Sequence, residues 1–258
     1  MTDEKMPLTS HLDELRKRII VLLIAISIGF GVCFYYSESI FNLLTLPLRN
    51  TLVLSLKYPF IALKASENPA LNLVFLTPTE ALWTHIKIAI VSGVIMALPV
   101  IFYEIWRFIS PGLLQKEKKY AIPFVILVTA LFLLGAFFCF VFVLPFALNF
   151  LLTYKTEGLQ PMISVGRYVD FCLKFILAFG VIFEIPVVIV FLTKTGIVST
   201  KFLAKNRKYA VLLAFIIAAF LTPTPDAFNQ TLMAAPIVLL YEVGILASKL
   251  LGGRKKND

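Results

Sequence analysis

Charged residues are scarce in this sequence, and their scarcity excludes an ordinary soluble protein. Asp, Glu, Lys and Arg together make up 15% of the 258 residues, whereas 59% of the residues are hydrophobic. Soluble domains carry about 25% charged residues, which they need to cover a water-exposed surface. The composition therefore predicts a membrane protein.

Cysteine and histidine are also rare. The cysteines, Cys33, Cys139 and Cys172, all lie inside apolar runs, where cysteine behaves as a small hydrophobic residue, so neither a disulfide framework nor a metal site is predicted. The histidines, His11 and His85, lie on opposite sides of the membrane in the topology derived below and cannot share a metal. We find no Ser/His/Asp set and no nucleotide-binding loop in the sequence. We therefore expect no enzymatic activity and no bound cofactor.

We expect no cleavable leader, and the sequence shows no internal repeat. The first apolar run, Ile19 to Tyr36, is longer than a signal-peptide core and ends without a small-residue cleavage pair. We expect this run to be retained as a membrane span. The lack of a repeat argues against the inverted-repeat architecture of many transporters.

Long uncharged runs are what the sequence does contain. A bilayer about 30 Å thick is crossed by roughly 20 apolar residues in a helix. The uncharged stretch from Tyr120 to Tyr154 is too long for one span, so its helix is expected to end at Pro145. Residues 77–80, Thr-Pro-Thr-Glu, are typical of a helix start. Six spans are predicted, at about residues 19–36, 78–103, 120–144, 170–193, 209–222 and 227–246, in one integral membrane domain covering residues 1–258.

The last two spans are predicted to be short. Their apolar stretches would each measure only about 21 to 23 Å as helices. We expect the bilayer to be thinner beside them.

Lysine and arginine counts predict the orientation. The six spans divide the connecting segments between two sides of the membrane. Seventeen of the 24 Lys and Arg residues lie on the side that holds both termini, and five lie on the other side. Positive residues favour the cytoplasmic side, so both termini are predicted to be cytoplasmic. The net charge of +9 is then a topology signal and requires no nucleic-acid partner.

An unusual acidic group stands where the first span begins. Residues 10–18 read SHLDELRKR, so two acids precede three bases at the foot of a membrane helix. In one interpretation Ser10 caps the helix, Asp13 faces the positive end of the helix dipole, and Glu14 pairs with Lys17 or Arg18. In the other, Glu14 binds a cationic ligand that arrives along the membrane surface.

A second acid lies in the predicted inner loop between the second and third spans. Glu117 is surrounded by Lys116, Lys118 and Lys119. It is either a solvated loop charge or a second anionic group on the same membrane face as Glu14.

Polar residues also interrupt the later spans. Glu184 falls near the middle of the predicted fourth span, where an ionisable group is costly and usually functional. We expect it to face a polar groove, and proton relay, cargo contact and packing around water all remain open as its role. Thr222, Gln230 and Glu242 belong to the last two spans, where polar side chains often join helices.

Four motifs, in this order along the chain, carry a resemblance to a known family. They are HLDELRKR at residues 11–18, FISPGL at 108–113 with Glu117 beyond it, FEIP at 183–186 and LTPTPD at 221–226. They resemble TatC, the receptor subunit of the twin-arginine protein translocase, and the resemblance runs along essentially the whole chain. This sequence departs from the family in having an extra residue between the prolines of the last motif and a long first outer loop.

The resemblance implies an all-α polytopic protein of the bacterial cytoplasmic (inner) membrane. Its six helices would form a concave bundle with two short C-terminal spans and both termini in the cytoplasm. Transport would be driven by the proton gradient. Membrane lipids and further copies of the chain are implied as neighbours in the complex.

The resemblance also assigns roles to residues. Glu14 and Glu117 would recognise the paired arginines of a signal peptide on folded cargo, with Leu15, Arg16 and Phe108 close by. Single-span TatA-like and TatB-like subunits would bind at Thr222, Gln230 and Glu242. The alternative function is a small proton-coupled permease with Glu184 as its relay; the two cytoplasmic acids and the missing repeat favour the receptor.

Overall fold

The computed structural model describes residues 8–54, 61–65, 73–109, 121–153, 162–222 and 226–251. They form two compact units, one from Met1–Leu43 and Thr77–Ala130, the other from Leu44–Leu76 and Leu131–Asp258. The chain is mostly helical. The prediction of a single membrane domain stays a prediction.

The helices account for nearly all described residues. In chain order they are α1 (Leu8–Tyr35), α2 (Ser37–Leu44), α3 (Leu46–Arg49), α4 (Glu80–Ile109), α5 (Ala121–Phe138), a π-helical segment (Cys139–Val143), α6 (Leu144–Thr153), α7 (Val165–Ile182), α8 (Ile185–Lys194), α9 (Thr200–Lys205), α10 (Arg207–Leu221) and α11 (Ala227–Leu251).

Two small sheets accompany the helices of this mostly helical chain. Strand β1 (Asn50–Leu54) pairs antiparallel with β2 (Ile61–Ala65), with Asn50 opposite Ala65. Strand β3 (Leu73–Val74) pairs in parallel with β4 (Ile163–Ser164). All four strands belong to segments predicted to lie outside the membrane. Because backbone groups there can exchange bonds with water, strands with open edges are tolerated.

Five helical stretches are long and apolar enough to cross a membrane. They are Asp13–Tyr35, Glu80–Phe108, Ala121–Leu152, Val165–Lys194 and Ala227–Leu250. Large apolar side chains lie on their outer surfaces, such as Ile28, which is 63% exposed. Exposed apolar surface on this scale is expected where lipid replaces water.

The fifth predicted span, residues 209–222, corresponds to α10, which is not among these five stretches. This helix has 15 residues, so it is about 22 Å long at 1.5 Å per residue. It is short, as predicted. The predicted thinning of the bilayer beside residues 209–222 stays a prediction.

The last helix was wrongly predicted to be short. Helix α11 has 25 residues and continues well past Glu242, which the sequence suggested as the end of its apolar stretch. Glu242 does not end the helix, since glutamate is a good helix former. Its carboxylate is paired with Arg207, with an Nε to Oε1 distance of 2.7 Å.

Pro145 does not end its helix either. The helical run passes through the π-helical segment and continues as α6 to Thr153. In the wider turn the Leu144 N–H donates to the Cys139 carbonyl, five residues back. A π-turn changes the local bonding pattern, so the missing N–H and the ring of proline are accommodated without a stop.

The predicted fourth span begins earlier than expected and is broken. Its first helix, α7, starts at Val165 after Ser164, whose hydroxyl accepts from the Arg167 N–H at 3.5 Å. It ends at Ile182, and α8 starts at Ile185, with Pro186 in its first turn. Proline favours a first helical turn because it has no N–H to donate there. Glu184 therefore lies at a helix junction and not inside one continuous helix.

The start of the second span was predicted correctly to within two residues. Helix α4 begins at Glu80, and the Thr77 N–H donates to the Glu80 carboxylate at 3.4 Å, as in a capping box. It ends at Ile109, six residues beyond the predicted end.

The second unit has a core of aromatic and small side chains. Phe175 and Phe179 are fully buried, and the Tyr168 hydroxyl donates to the Leu44 carbonyl at 2.7 Å. A side chain at Gly180 would collide with the Phe132 ring, its Cβ lying 2.4 Å from that ring. Helices α5 and α7 therefore pack at the distance that glycine allows.

In the first unit, α1 and α4 make an equally close contact. A Cβ placed on Gly29 would lie 2.6 Å from the Gly93 carbonyl oxygen, and a Cβ on Gly93 would lie 2.6 Å from the Phe30 nitrogen. Small residues of this kind let membrane helices approach closely enough for dispersion contacts to hold them together.

We predict that Gly29→Ala lowers the free energy of unfolding by about 1 to 3 kcal/mol, because the new methyl group meets backbone that cannot move aside. Gly31→Ala is the matched control, since nothing lies within 4 Å of a Cβ at Gly31. The control should raise stability by about 0.5 to 1 kcal/mol, as alanine usually does in a helix. Thermal unfolding of both variants in one detergent measures the difference, and equal midpoints would contradict the close contact.

Candidate functional site

The acidic start of the first span lies inside a helix. Helix α1 begins at Leu8, two residues before Ser10, which the sequence suggested as its cap. Asp13, Leu15 and Arg16 are exposed, and Glu14 is half-buried. At this end of α1, Glu14 is the acid that lies against other protein groups.

Arg18 is the centre of these contacts. Its guanidinium donates through Nη2 to Oε1 of Glu14 and to the Arg107 carbonyl at 3.1 Å. Through Nη1 it donates to Oε2 of Glu104 at 3.0 Å and to the Glu104 carbonyl at 3.4 Å. Arg18 therefore joins the beginning of α1 to the end of α4.

Burial differs among the three charged groups. The side chains of Arg18 and Glu104 are 8% and 9% exposed, whereas that of Glu14 is 32% exposed. An arginine and a glutamate this deeply buried have to be paired, because an isolated charge would lose its hydration without compensation. The pairing of Glu14 with Arg18 was one of the two interpretations of the sequence, and the geometry supports it.

The neighbouring residues at the end of α4 are ordered by packing. Trp106 is buried, and its ring lies 4.2 Å from the ring of Phe124 on α5, measured between centroids. Phe108 follows on the same helix and is half-buried. Glu117 and the rest of residues 110–120 lie outside the described residues, so the expected approach of Glu14 and Glu117 stays a prediction.

Glu104 is a residue of this cluster that the sequence did not single out. It stands just past the end of the second predicted span, where Arg107, three residues on, is the nearest base in the sequence. The available signal was an acid near the end of one apolar helix and a base, Arg18, on the same predicted membrane face at the start of another. Pairing them required knowing that α1 and α4 are neighbours.

Glu184 lies at the α7–α8 junction. Both of its carboxylate oxygens are buried, and neither accepts a hydrogen bond within the described part of the chain. Such a group is costly to bury. The expected polar groove around Glu184 stays a prediction.

The polar residues of the last two helices all have internal partners. The Thr222 hydroxyl donates to the Ala218 carbonyl at 2.8 Å. The Gln230 amide of α11 donates to the Phe215 carbonyl of α10 at 3.1 Å. Glu242 accepts from Arg207 through both carboxylate oxygens, at 2.7 and 2.8 Å. Two of the three therefore join α10 and its start to α11, as interhelical contacts do.

The cysteines behave as predicted, since Cys33, Cys139 and Cys172 are buried free thiols. Among the described residues no group of three or more His, Cys, Asp and Glu side chains could hold a metal ion.

Comparisons with known proteins identify the family. The family model described as "Sec-independent protein translocase protein (TatC)" matches residues 10–236. Proteins with that name from Carboxydothermus hydrogenoformans and Aquifex aeolicus are each 42% identical to this chain and align with 97% of it, covering 96% and 98% of their own lengths. The corresponding protein from Desulforapulum autotrophicum is 39% identical over 99% of this chain and 89% of its own length.

A solved structure supports the same assignment. The crystal structure of a "Twin Arginine Translocase Receptor- TatC" has a TM-score of 0.78 and 40% sequence identity, and the match covers 94% of this chain and 99% of that one. Sequence and structure agree along nearly the whole length of the protein. This chain belongs to the TatC family and is a non-enzymatic, multi-pass membrane component of a Sec-independent protein translocase.

Proposed function

We propose that this protein is the subunit that binds twin-arginine signal peptides of folded cargo at the cytoplasmic face. The observation that carries the proposal is the partly exposed carboxylate of Glu14, which is held in place by Arg18 at the start of α1. Membership of a translocase family favours protein transport over the permease function. The solved relative is described as a twin-arginine translocase receptor, which supports the same role.

Carboxylates are suited to this ligand. A guanidinium group is a planar fork that meets a carboxylate through two parallel hydrogen bonds, which an ammonium group cannot do. Two separate acids, Glu14 and Glu117, would therefore select two arginines over two lysines. With about 1.5 to 3 kcal/mol for each charge-assisted bond and some apolar contact, micromolar binding, about 8 kcal/mol, is within reach.

Nearby groups shape the rest of this surface. Leu15 and Phe108 offer apolar contact to the peptide beside its arginines. Arg16, Lys17 and the lysines around Glu117 repel it at long range, and salt screens that repulsion over about 10 Å. The short-range geometry at the acids therefore has to provide the specificity.

The last two helices are the proposed binding edge for single-span TatA-like and TatB-like subunits. Gln230 is the best placed of the predicted residues, because its internal bond is a single neutral one to a carbonyl. Thr222 is buried, and Glu242 would have to leave Arg207. A partner helix with an amide or hydroxyl oxygen could accept the hydrogen bond that the Gln230 amide now donates to the Phe215 carbonyl.

Glu184 is proposed as a functional group in the transport step, which the proton gradient would energise. Both of its carboxylate oxygens are buried without a partner in good hydrogen-bonding geometry among the described residues. A buried ionisable group in an apolar helical run is expected to be kept for function. Cargo contact and proton transfer are both compatible with a carboxyl group in this position.

The proposed topology has six spans, with both termini in the cytoplasm of a bacterial cell whose cytoplasmic membrane holds the complex. The lysine and arginine distribution supports the orientation, and α10, the fifth span in chain order, brings the number of spans to six. Phe220, near the C-terminal end of α10, is 86% exposed, as expected for a helix in contact with lipid. Lipids and further copies of the chain complete the proposed environment.

For the receptor role we predict that Glu14→Gln and Glu117→Gln each weaken binding of a synthetic twin-arginine peptide by about 10- to 150-fold, the equivalent of one charge-assisted contact. Asp13→Asn is the matched control, because it removes the same charge from an exposed neighbour and should change affinity only a few-fold. Fluorescence anisotropy with labelled peptide measures all three. Unchanged affinity in both glutamine variants would contradict the proposal.

For Glu184 we predict that Glu184→Met keeps or raises the free energy of unfolding, by up to about 2 kcal/mol, because it removes an unpartnered buried group. Export of a folded reporter protein should fall at the same time. Tyr168→Phe is the control, since its hydroxyl has a partner and its loss should cost about 1 kcal/mol. Normal export by Glu184→Met would show that the carboxyl group only fills space.

For the topology we predict the labelling of three single-cysteine variants, Met162→Cys, Lys201→Cys and Leu250→Cys, by a membrane-impermeant maleimide. Position 162 should react from outside the cell, and positions 201 and 250 only after the membrane is opened. If α10 does not cross the bilayer, positions 201 and 250 will lie on opposite sides. The native cysteines are buried and provide the unreactive background.

A further inference from the structure

The three side chains joined by ion pairs at the start of α1 carry more negative than positive charge. Arg18 provides one positive charge, and it is shared by two carboxylates, those of Glu14 and Glu104. These three side chains therefore carry a net charge of minus one. The pairing with Arg18 does not neutralise Glu14, because half of the compensation goes to a second acid.

The excess charge belongs on the more exposed acid. Glu104 is almost completely buried, whereas about a third of the Glu14 side chain is exposed. A buried carboxylate without a cation has lost its hydration, and an exposed one is still solvated. Glu104 therefore needs Arg18 as a counter-ion, whereas Glu14 can remain charged without it because it is still partly hydrated.

The other contacts of Arg18 point the same way. Of the four acceptors that the described residues offer to its guanidinium, three belong to α4: the Glu104 carboxylate, the Glu104 carbonyl and the Arg107 carbonyl. Glu14 provides the fourth. If Glu14 is engaged elsewhere, Arg18 keeps most of its hydrogen bonds and its counter-ion.

We propose that Glu104 is a positioning residue for ligand binding: it retains Arg18 on α4, so that Glu14 can exchange the Arg18 guanidinium for an incoming one. The proposal rests on the proposed function, in which Glu14 binds an arginine of the peptide. While no peptide is bound, Arg18 holds the Glu14 carboxylate in place. It does so with a guanidinium group, the same group that the peptide's arginine would bring. The exchange replaces one guanidinium–carboxylate contact by another and leaves no buried charge unpaired.

The first test is Glu104→Gln, measured with full-length protein and a labelled twin-arginine peptide. Glutamine keeps the shape and an acceptor oxygen but removes the charge, so that Arg18 becomes the sole counter-ion of Glu14 and competes with the peptide. We expect the affinity to fall by about tenfold, as for one charge-assisted contact. Glu104→Asp keeps the charge and should restore most of the affinity. Unchanged affinity in Glu104→Gln would overturn the proposal.

The decisive variant is the double substitution Arg18→Gln with Glu104→Gln. It removes the internal cation together with the buried acid, leaves no buried charge behind, and is therefore expected to fold. Glu14 then has no competing guanidinium, and the peptide should bind at least as tightly as to the unmodified protein. If Glu104 has only a structural role, the double variant will bind no better than Glu104→Gln, and the proposal is wrong.

Glu14→Gln separates this proposal from the function on which it rests. If Glu14→Gln binds peptide normally, the receptor role of Glu14 is wrong. If Glu14→Gln loses binding while Glu104→Gln and the double variant match the unmodified protein, the receptor role holds and the exchange at Arg18 is wrong. A twin-lysine peptide, which lacks the guanidinium fork, should bind weakly to every variant and measures non-specific attraction.

Discussion

The charge of Arg18 has to be balanced at the end of two apolar helices, and this constraint organises the first unit. Arginine cannot lose its proton in a protein, so burial of its side chain requires acids and carbonyl groups nearby. The end of α4 provides them through Glu104 and two backbone carbonyls. The close contact of Gly29 with Gly93 lets α1 and α4 approach, and the ion cluster joins them near one end. The position of Glu14 follows from these two contacts.

The helices could be predicted from the sequence because uncharged runs of about 20 residues have few alternatives in a membrane protein. The start of α4 was also predictable, because Thr77 and Glu80 form a local capping signal. Two helix ends could not be predicted. Helix α11 continues past Glu242, which pairs with Arg207 35 residues away in the sequence, and the π-turn before Pro145 lets its helix pass a proline. Neither event has a signature in the nearby sequence.

The candidate site was predictable to a similar degree. The acids of the first span attracted attention because their local pattern was unusual, and Glu184 because a charge in an apolar run is rare. Glu104 gave no such signal, since an acid at a helix boundary is common. Its role depends on Arg18, which is 86 residues away in the sequence. The local sequence thus identified Glu14 and Glu184. It did not identify Glu104, which binds Arg18, the partner of Glu14.

The polar contacts of the two units differ in how readily a ligand could replace them. Glu242 and Arg207 form a one-to-one pair with two short bonds, so a ligand that takes Glu242 leaves Arg207 without its acid. The Gln230 amide makes one neutral bond to a carbonyl, and its exchange leaves no charge behind. The cluster at Arg18 combines strong bonds with easy exchange, because the cation keeps a second acid when the first one leaves. With two acids, Glu14 and Glu104, around one base, Arg18, the site is stable without a ligand and can still release one carboxylate to bind a cation.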